Sequence, residues 1–526
     1  MARATIVITG AAILCLQLIA SRIMTPFFGV SLLIWTGILS VTLSCLALGY
    51  YYGGVFCRGR SAGELRGAFY LGPALSGAWL VAAVLLYPVC LGPLAEMSLV
   101  GGAFLASVLL LAVPLILLSA LNPLLVALER PLHGEADAGA GRVFFISTVG
   151  SVAGVLVAAF GLIPYLSGRH SILLIAAILC LLGAVGGRRG RVLAVALGGL
   201  AAALALGLLD PAGRSGRTAL DGENRPWTTI ATYPSAFGVL KVVEVGEGAG
   251  MLRVLFNDGL AQNGFHADGR PALQFTHFLE AGAIHLVPSP RKVLVLGLGA
   301  GVIPAAFEAR GAAVEVVEIN RRAFEAARDH FNYRPGPGTR LVFADARTQV
   351  RRCGPDHDIV FVDLFSGDGI PEHLLTREFF ADVRRCLAKG GVVAINSFLD
   401  AAHMEPTRAV LATLADVFGR VAFVEQAHPP SRPITNGFLF AAREPGRLDH
   451  LAAMRIEATD RISPHMAEQM AASLKSLRIV DAASPLVAGA PTLSDDDNPL
   501  AALAASAQMA YRRGAVSTVP DPILAD

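Results

Sequence analysis

Lysine is almost missing from this chain: Lys241, Lys292, Lys389 and Lys475 are the only four in 526 residues, and all lie in the second half. Acids are as thin early on, where only Glu64, Glu96, Glu129, Glu135 and Asp137 precede Asp210. Charged residues total 16% against 54% hydrophobic, far below the roughly 25% charged share of a soluble domain. That scarcity excludes a wholly water-soluble protein and places the apolar excess in the first 210 residues. A net charge of +2 gives no basic face for nucleic acid and no argument for an acidic partner. The seven cysteines show no CxxC and no metal-ligand spacing, so no metal is expected. Cys15, Cys45, Cys90 and Cys180 sit in apolar runs and read as small core residues, whereas Cys353 and Cys386 are free or paired on this evidence.

Runs of bilayer-spanning length then recur. They cover about Thr5–Ile19, Leu32–Phe56, Ala68–Leu91, Leu99–Leu128, Val143–Leu166, Ser171–Val185 and Val192–Leu209. The first reads as a span, since it lacks the charge and small-residue cleavage site of a removed leader. Small residues such as Gly150-Ser151-Val152-Ala153-Gly154 suit close helix packing. Ionisable side chains are scarce within the runs, Arg22 and Arg169 lying at edges, which weakens a transport reading. Arg3, Arg58, Arg60, Arg66, Arg130, Arg142, Arg188, Arg189 and Arg191 all fall on one side of a seven-span chain. That side is cytoplasmic by the positive-inside rule, which would put the second half outside. A cytoplasmic domain on an inner-membrane protein is nonetheless the expectation carried forward, for a reason that the second half supplies.

After about Arg214 the text changes. Gly238–Val245 and Met251–Phe256 read as strands, with hairpin chemistry in Asn257-Asp258-Gly259. Lys292–Leu296 is a buried strand running into Gly297-Leu298-Gly299-Ala300-Gly301. Pro304 stands in the first turn of the next helix and Gly311 past its end. Strand Val314–Val317 closes on Glu318, 21 residues after Gly297, the spacing at which an acid grips ribose hydroxyls in nucleotide-binding βαβ units. Leu341–Phe343 ends at Asp345 and Asp358–Val362 at Asp363. A helix over Thr376–Leu387 and a strand over Val392–Ile395 follow. Three acids thus stand at the carboxyl ends of three strands, where open α/β sheets bind ligands. His266, His277 and His285 lack a convergent further ligand for a metal. Arg347, Arg351 and Arg352 read as a solvated helix face, and Asp495-Asp496-Asp497 as a solvated turn or cap.

On these motifs the chain resembles the spermidine synthases, and specifically their membrane-fused relatives. Ser235-Ala236-Phe237-Gly238, Asn257-Asp258-Gly259 with Gln262, the glycine loop, Val317-Glu318-Ile319-Asn320, Asp345-Ala346-Arg347, Val362-Asp363 and Thr435-Asn436-Gly437-Phe438 carry the soluble part of the resemblance. Gly10–Tyr50, Gly141–Pro164 and Leu493–Pro499 carry the membrane-fused part. The resemblance implies a multi-pass α-helical membrane domain (1–210), a small β-region (211–288), and a Rossmann-like α/β domain of the class I methyltransferase and spermidine synthase type (289–445). A helical extension (446–526) closes the chain. It implies S-adenosylmethionine or its decarboxylated form as substrate, an amine acceptor, the lipid bilayer as surroundings, and no nucleic acid, with homodimerisation open. Gln262, Gly297, Gly299, Gly301, Glu318, Asp345 and Ala346 would hold the nucleoside. Asp363 would be the catalytic carboxylate, and His277, Ser366 and Asp368 would border the acceptor. Departures bear on the acceptor. Ala300 replaces a loop Asp, which makes room for the carboxylate of intact S-adenosylmethionine. Ser366 replaces a second acid and Thr276 a Tyr, which makes putrescine doubtful. A methyltransferase, a transporter with a nucleoside-sensing domain, and a scaffold with a degenerate pocket are the rival readings.

Overall fold

The computed structural model describes residues 1–30, 32–129, 136–187, 190–209, 216–365, 367, 369–427 and 434–525. Arg130, Arg188 and Arg189 lie outside them. The chain divides into two compact units, Met1–Val239 with Arg513–Asp526, and Leu240–Arg512.

The first unit is a helical bundle. Its helices are α1 (Ala2–Phe28), α2 (Leu32–Phe56), α3 (Ala62–Met97), α4 (Leu99–Ser119), α5 (Leu121–Glu129), α6 (Ala136–Val157), α7 (Gly168–Gly186) and α8 (Gly190–Leu208). Among the described residues seven helical segments are long and apolar enough to cross a membrane, α4 and α5 counting as one. The expected runs are all there; α1, α3 and α7 extend past the apolar stretch at both ends, whereas the fifth span, Gly139–Leu162, stops short of the expected Leu166. Side chains such as Leu43, Val89, Phe145, Val152 and Phe160 remain exposed, as a lipid-facing surface requires.

Small residues set the closest helix contact. A Cβ at Gly10 would meet the Ser147 carbonyl oxygen at 2.4 Å, and one at Gly154 the Ala11 carbonyl oxygen at 2.3 Å. Ser151 Oγ donates to the Gly10 carbonyl at 3.0 Å. Only glycine lets α1 and α6 approach this far, and such a bond inside a bilayer contributes on the order of 1 kcal/mol. Strands β1 (Arg217–Leu220) and β2 (Pro226–Ser235) pair antiparallel after the bundle.

In the second unit β3 (Gly238–Val245), β4 (Leu252–Asn257) and β5 (Leu260–His266) form an antiparallel meander. Asp258 (φ 47°) and Gly259 (φ 82°) make the left-handed two-residue turn between β4 and β5. Helix α9 (Gln274–Leu286) leads into an alternating series: β6 (Lys292–Leu296), α10 (Val302–Glu308), β7 (Ala313–Glu318), α11 (Arg321–His330), β8 (Thr339–Phe343), α12 (Ala346–Val350), β9 (His357–Val362), α13 (Arg377–Cys386), β10 (Leu387–Asp400) and α14 (Glu405–Phe418). Then come β11 (Arg420–Glu425), β12 (Ile434–Ala442), α15 (Pro464–Leu474), β13 (Arg478–Asp481) and α16 (Leu500–Thr518).

Eight strands make one sheet in the order β13-β11-β12-β10-β9-β6-β7-β8. The five from β10 to β8 are parallel, and β12, β11 and β13 add antiparallel. This is a Rossmann-like sheet whose order reverses between β6 and β9. Alternation explains why it buries both faces. Val360, Val362, Val393 and Ile395 face Phe379, Phe380, Leu411 and Phe418, whereas Ile359, Phe361, Val392 and Ala394 face Phe278, Phe307 and Phe440. Helix α13 follows its sequence signal: Thr376 Oγ1 caps it by accepting from Phe379 N, and Phe379, Phe380 and Val383 point inward. Each such phenylalanine contributes about 1.5–3 kcal/mol. The edge strand β13 lies in the stretch expected to be helical. At four residues it is too short for a period-2 pattern to register.

Candidate nucleoside site

Glycines 297, 299 and 301 hold φ of 94°, 55° and 83°, a region closed to other residues without strain. Each also has an occupied neighbour. A Cβ at Gly297 would lie 2.1 Å from the Asp363 carbonyl oxygen, at Gly299 2.3 Å from Asn263 Oδ1, and at Gly301 2.4 Å from the Tyr333 ring. The loop is therefore fixed from three sides.

Glu318, at the end of β7, is 9% exposed. Its Oε2 accepts from Leu298 N at 2.9 Å and its Oε1 from Asn320 N at 2.7 Å. Burial pushes its carboxyl up, these backbone donors pull it back, and neighbouring Asp363 raises it further. Each oxygen retains a lone pair for a ligand hydroxyl. Asp345 follows β8 and caps α12, its Oδ1 accepting from Thr348 N at 2.8 Å, while its Oδ2 lies 3.8 Å from His373 Nε2. Ala346, beside it, is buried.

Asp363 follows β9. It is half-buried, and its backbone N–H donates to the Leu296 carbonyl at 2.9 Å. Burial pushes its carboxyl up to about 6, against the opposing pull of Asn396. Asn396 Nδ2 donates to Asp363 Oδ1 at 2.9 Å, from a side chain 3% exposed. Removing that donor should raise Asp363 further. In Asn396→Leu the acid limb of any Asp363-dependent rate should move to higher pH, measured as a pH–rate profile beside the parent's.

The glycine loop, Glu318 and Asp363 are thus joined, with Asp345 on the adjoining strand end. The other expected residues are placed differently. Gln262 is the extra residue of a bulge in β5, since Leu255 pairs with Asn263 and Phe256 with Ala261. Its Nε2 donates to the Leu260 carbonyl at 3.4 Å, and Asn263 takes the loop instead, accepting from Ala300 N at 2.5 Å. His277 is buried, and its Nε2 donates to the Pro271 carbonyl at 3.1 Å. Desolvation lowers its basicity, and its hydrogen bond ties α9 to the segment before it. Ser366 and Asp368 lie outside the described residues.

Arg347 is not on a solvated face, for its side chain is only 11% exposed. Nη1 donates to the His373 carbonyl at 2.8 Å, and Nη2 pairs with Asp495. Asp495 N in turn donates to Glu378 Oε2 at 3.0 Å. The acidic run after Leu493 therefore begins as a clasp between α12 and the start of α13, where a solvated turn was expected. Asn263 and Asn396 are the residues that sequence reasoning passes over, and Arg347 is one it places on a solvated face. Asn396 falls just past the apolar stretch Val392–Ile395 that marks its strand.

Beside the loop a cavity of about 350 Å³ is lined by Ala300, Gly301, Phe265, Tyr333, Arg334 and Arg461.

No family model matches the chain. The chain is 34% identical over 116 residues to a polyamine aminopropyltransferase of Vibrio vulnificus (strain CMCP6), covering 21% of this chain and 39% of that protein. It is 28% identical over 151 residues to a polyamine aminopropyltransferase of Korarchaeum cryptofilum (strain OPF8), covering 27% and 46%. The chain thus spans less than half the length of these relatives. A solved structure of a probable spermidine synthase from Corynebacterium glutamicum ATCC 13032 aligns with a TM-score of 0.40 at 20% identity, over 50% of this chain and 96% of that one.

Proposed function

From a soluble half that is spermidine synthase-like in sequence, we propose a membrane-tethered transferase that moves an alkyl group from an adenosyl sulfonium to an amine. The carrying observation is Asp363: a half-buried carboxylate with a raised pKa, held by Asn396 and packed on the glycine loop beside Glu318. Glu318 would accept from the ribose hydroxyls and Asp345 from the adenine amino group, with Ala346 against the ring. The glycine cradle, which side chains would fill, suits close approach of the nucleoside.

The chemistry follows from the charges. An ammonium has no lone pair for attack, so it must first lose a proton. Asp363 accepts that proton. The amine nitrogen then bonds to the carbon beside sulfur, the carbon–sulfur bond breaks, and its electron pair neutralises the sulfonium as a thioether. Aminopropyl transfer is the first reading. Methyl transfer from intact S-adenosylmethionine is the second, favoured by Ala300, which puts no carboxylate against the amino-acid end, and by the cavity beside it with Arg334 and Arg461 in its wall.

Calorimetry on the full-length protein with S-adenosylmethionine, its decarboxylated form and methylthioadenosine tests this. Binding of at least one is expected, and binding of none would overturn the proposal. In Ala300→Asp the preference should move toward the decarboxylated form by about tenfold, the equivalent of roughly 1.4 kcal/mol of carboxylate repulsion. An unchanged ratio would remove residue 300 from that choice.

A further inference from the structure

Every cysteine in the helical bundle is a free thiol, namely Cys15, Cys45, Cys57, Cys90 and Cys180. The two in the soluble half, Cys353 and Cys386, are bonded to each other, with Cα atoms 5.4 Å apart. Structural disulfides belong to oxidising compartments and are rare in the cytosol. The bond therefore bears on which side of the membrane the soluble half occupies.

The bundle gives an independent answer. Arg3, in the first turn of α1, pairs with Glu129 at the end of the fourth span, so these two ends share a side. Arg22, toward the other end of α1, donates to the Ser235 carbonyl at 2.6 Å, and Ser235 lies beyond the last span. Asp521 packs where Gly92 leaves room near the end of α3. Both contacts put the chain after α8 on the side opposite Arg3, as an odd number of crossings requires. Among the described residues, arginines 3, 58, 60, 66, 142 and 191 fall on the Arg3 side. The opposite side carries only Arg22 and Arg169, at the ends of α1 and α7, before the chain leaves the last span. A bias of this kind marks the Arg3 side as cytoplasmic.

We infer that the soluble half faces the non-cytoplasmic compartment and that Cys353–Cys386 is an oxidatively formed staple there. It closes the stretch that carries β9, Asp363 and α13. Its formation is a thiol–disulfide exchange: both thiols lose their protons and one electron each, and a partner disulfide of the extracytoplasmic thiol-oxidase class is reduced to two thiols. The cytosolic origin of the nucleoside argued for the other side. Arginine placement, span parity and the cysteine pair all argue against it. The inference is independent of the transferase reading, because none of these observations involves the nucleoside.

The test uses the full chain in intact cells and a membrane-impermeant maleimide. Ala482 and Gly63 are both exposed, the first in the soluble half and the second in the first turn of α3, next to the connection between the second and third spans. Ala482→Cys should label from outside, and Gly63→Cys only after the membrane is opened. In parallel, membranes trapped by acid and alkylated before digestion should yield a peptide pair linked through Cys353 and Cys386 that separates on reduction. Labelling in the reverse pattern, or alkylated free thiols at both positions, would overturn the inference. Because no nucleoside enters either assay, failure here is separable from failure of the transferase proposal.

Discussion

Asp363→Asn should lower the transfer rate by about 10²–10⁴-fold, the usual contribution of a positioned general base, while nucleoside affinity stays within about twofold. Product thioether release measures the first and calorimetry the second. The separation is expected because the loop is braced by the Asp363 backbone, and on the proposed reading Glu318 would hold the ribose while the Asp363 carboxylate would contribute only the proton step. In the parent the rate should fall below pH 6, since burial holds that carboxyl at about 6 and only its ionised form accepts a proton. The linkage has a definite sign. A carboxyl raised in the folded state adds stability below its unfolded pKa near 4, and loses it as pH climbs through 6. The amide variant carries no such charge. It should therefore melt no lower than the parent at pH 7, with any difference narrowing below pH 4. Equal loss of binding and turnover would show that residue 363 holds the nucleoside and does no proton chemistry.

Gly297→Ala should be the most disruptive single methyl group in the soluble half. The new carbon would sit 2.1 Å from the Asp363 carbonyl oxygen, a backbone atom with no rotamer to escape into. The φ of 94° adds strain of roughly 1–3 kcal/mol. A total loss of about 2–4 kcal/mol is expected, with nucleoside binding abolished because Glu318 and Asp363 both brace that loop. Gly311→Ala is the matched control. Its φ is 80° but a Cβ there meets nothing within 4 Å, so about 1 kcal/mol is expected. Denaturant unfolding of the two variants reads the difference, and similar losses would mean that strain alone accounts for Gly297.

The glycine loop and the acids at the strand ends were legible because each rests on a short, strict spacing that the sheet then obeys. The bundle was legible because each span repeats one signal over many residues. What escaped depended on register or on partners distant in the chain. The bulge at Gln262 slips the period-2 pattern by one residue and hands the loop to Asn263. Asn396 was hidden because β10 runs on to Asp400, past the apolar stretch that marked it. Arg347 and Asp495 meet across 148 residues, and no local pattern links them. The pairing of Cys353 with Cys386 was equally open, because two cysteines at that separation fit either state.

The length of β10 has one more effect. Its ladder with β9 stops at Ile395, but Asn396 to Asp400 continue against β12 alone. One rim of the crevice is therefore a hydrogen-bonded ribbon standing above the floor, with Asn396 at its foot. Such a rim holds its shape, so on the proposed reading any adjustment to a ligand falls to the other strand ends of the crevice.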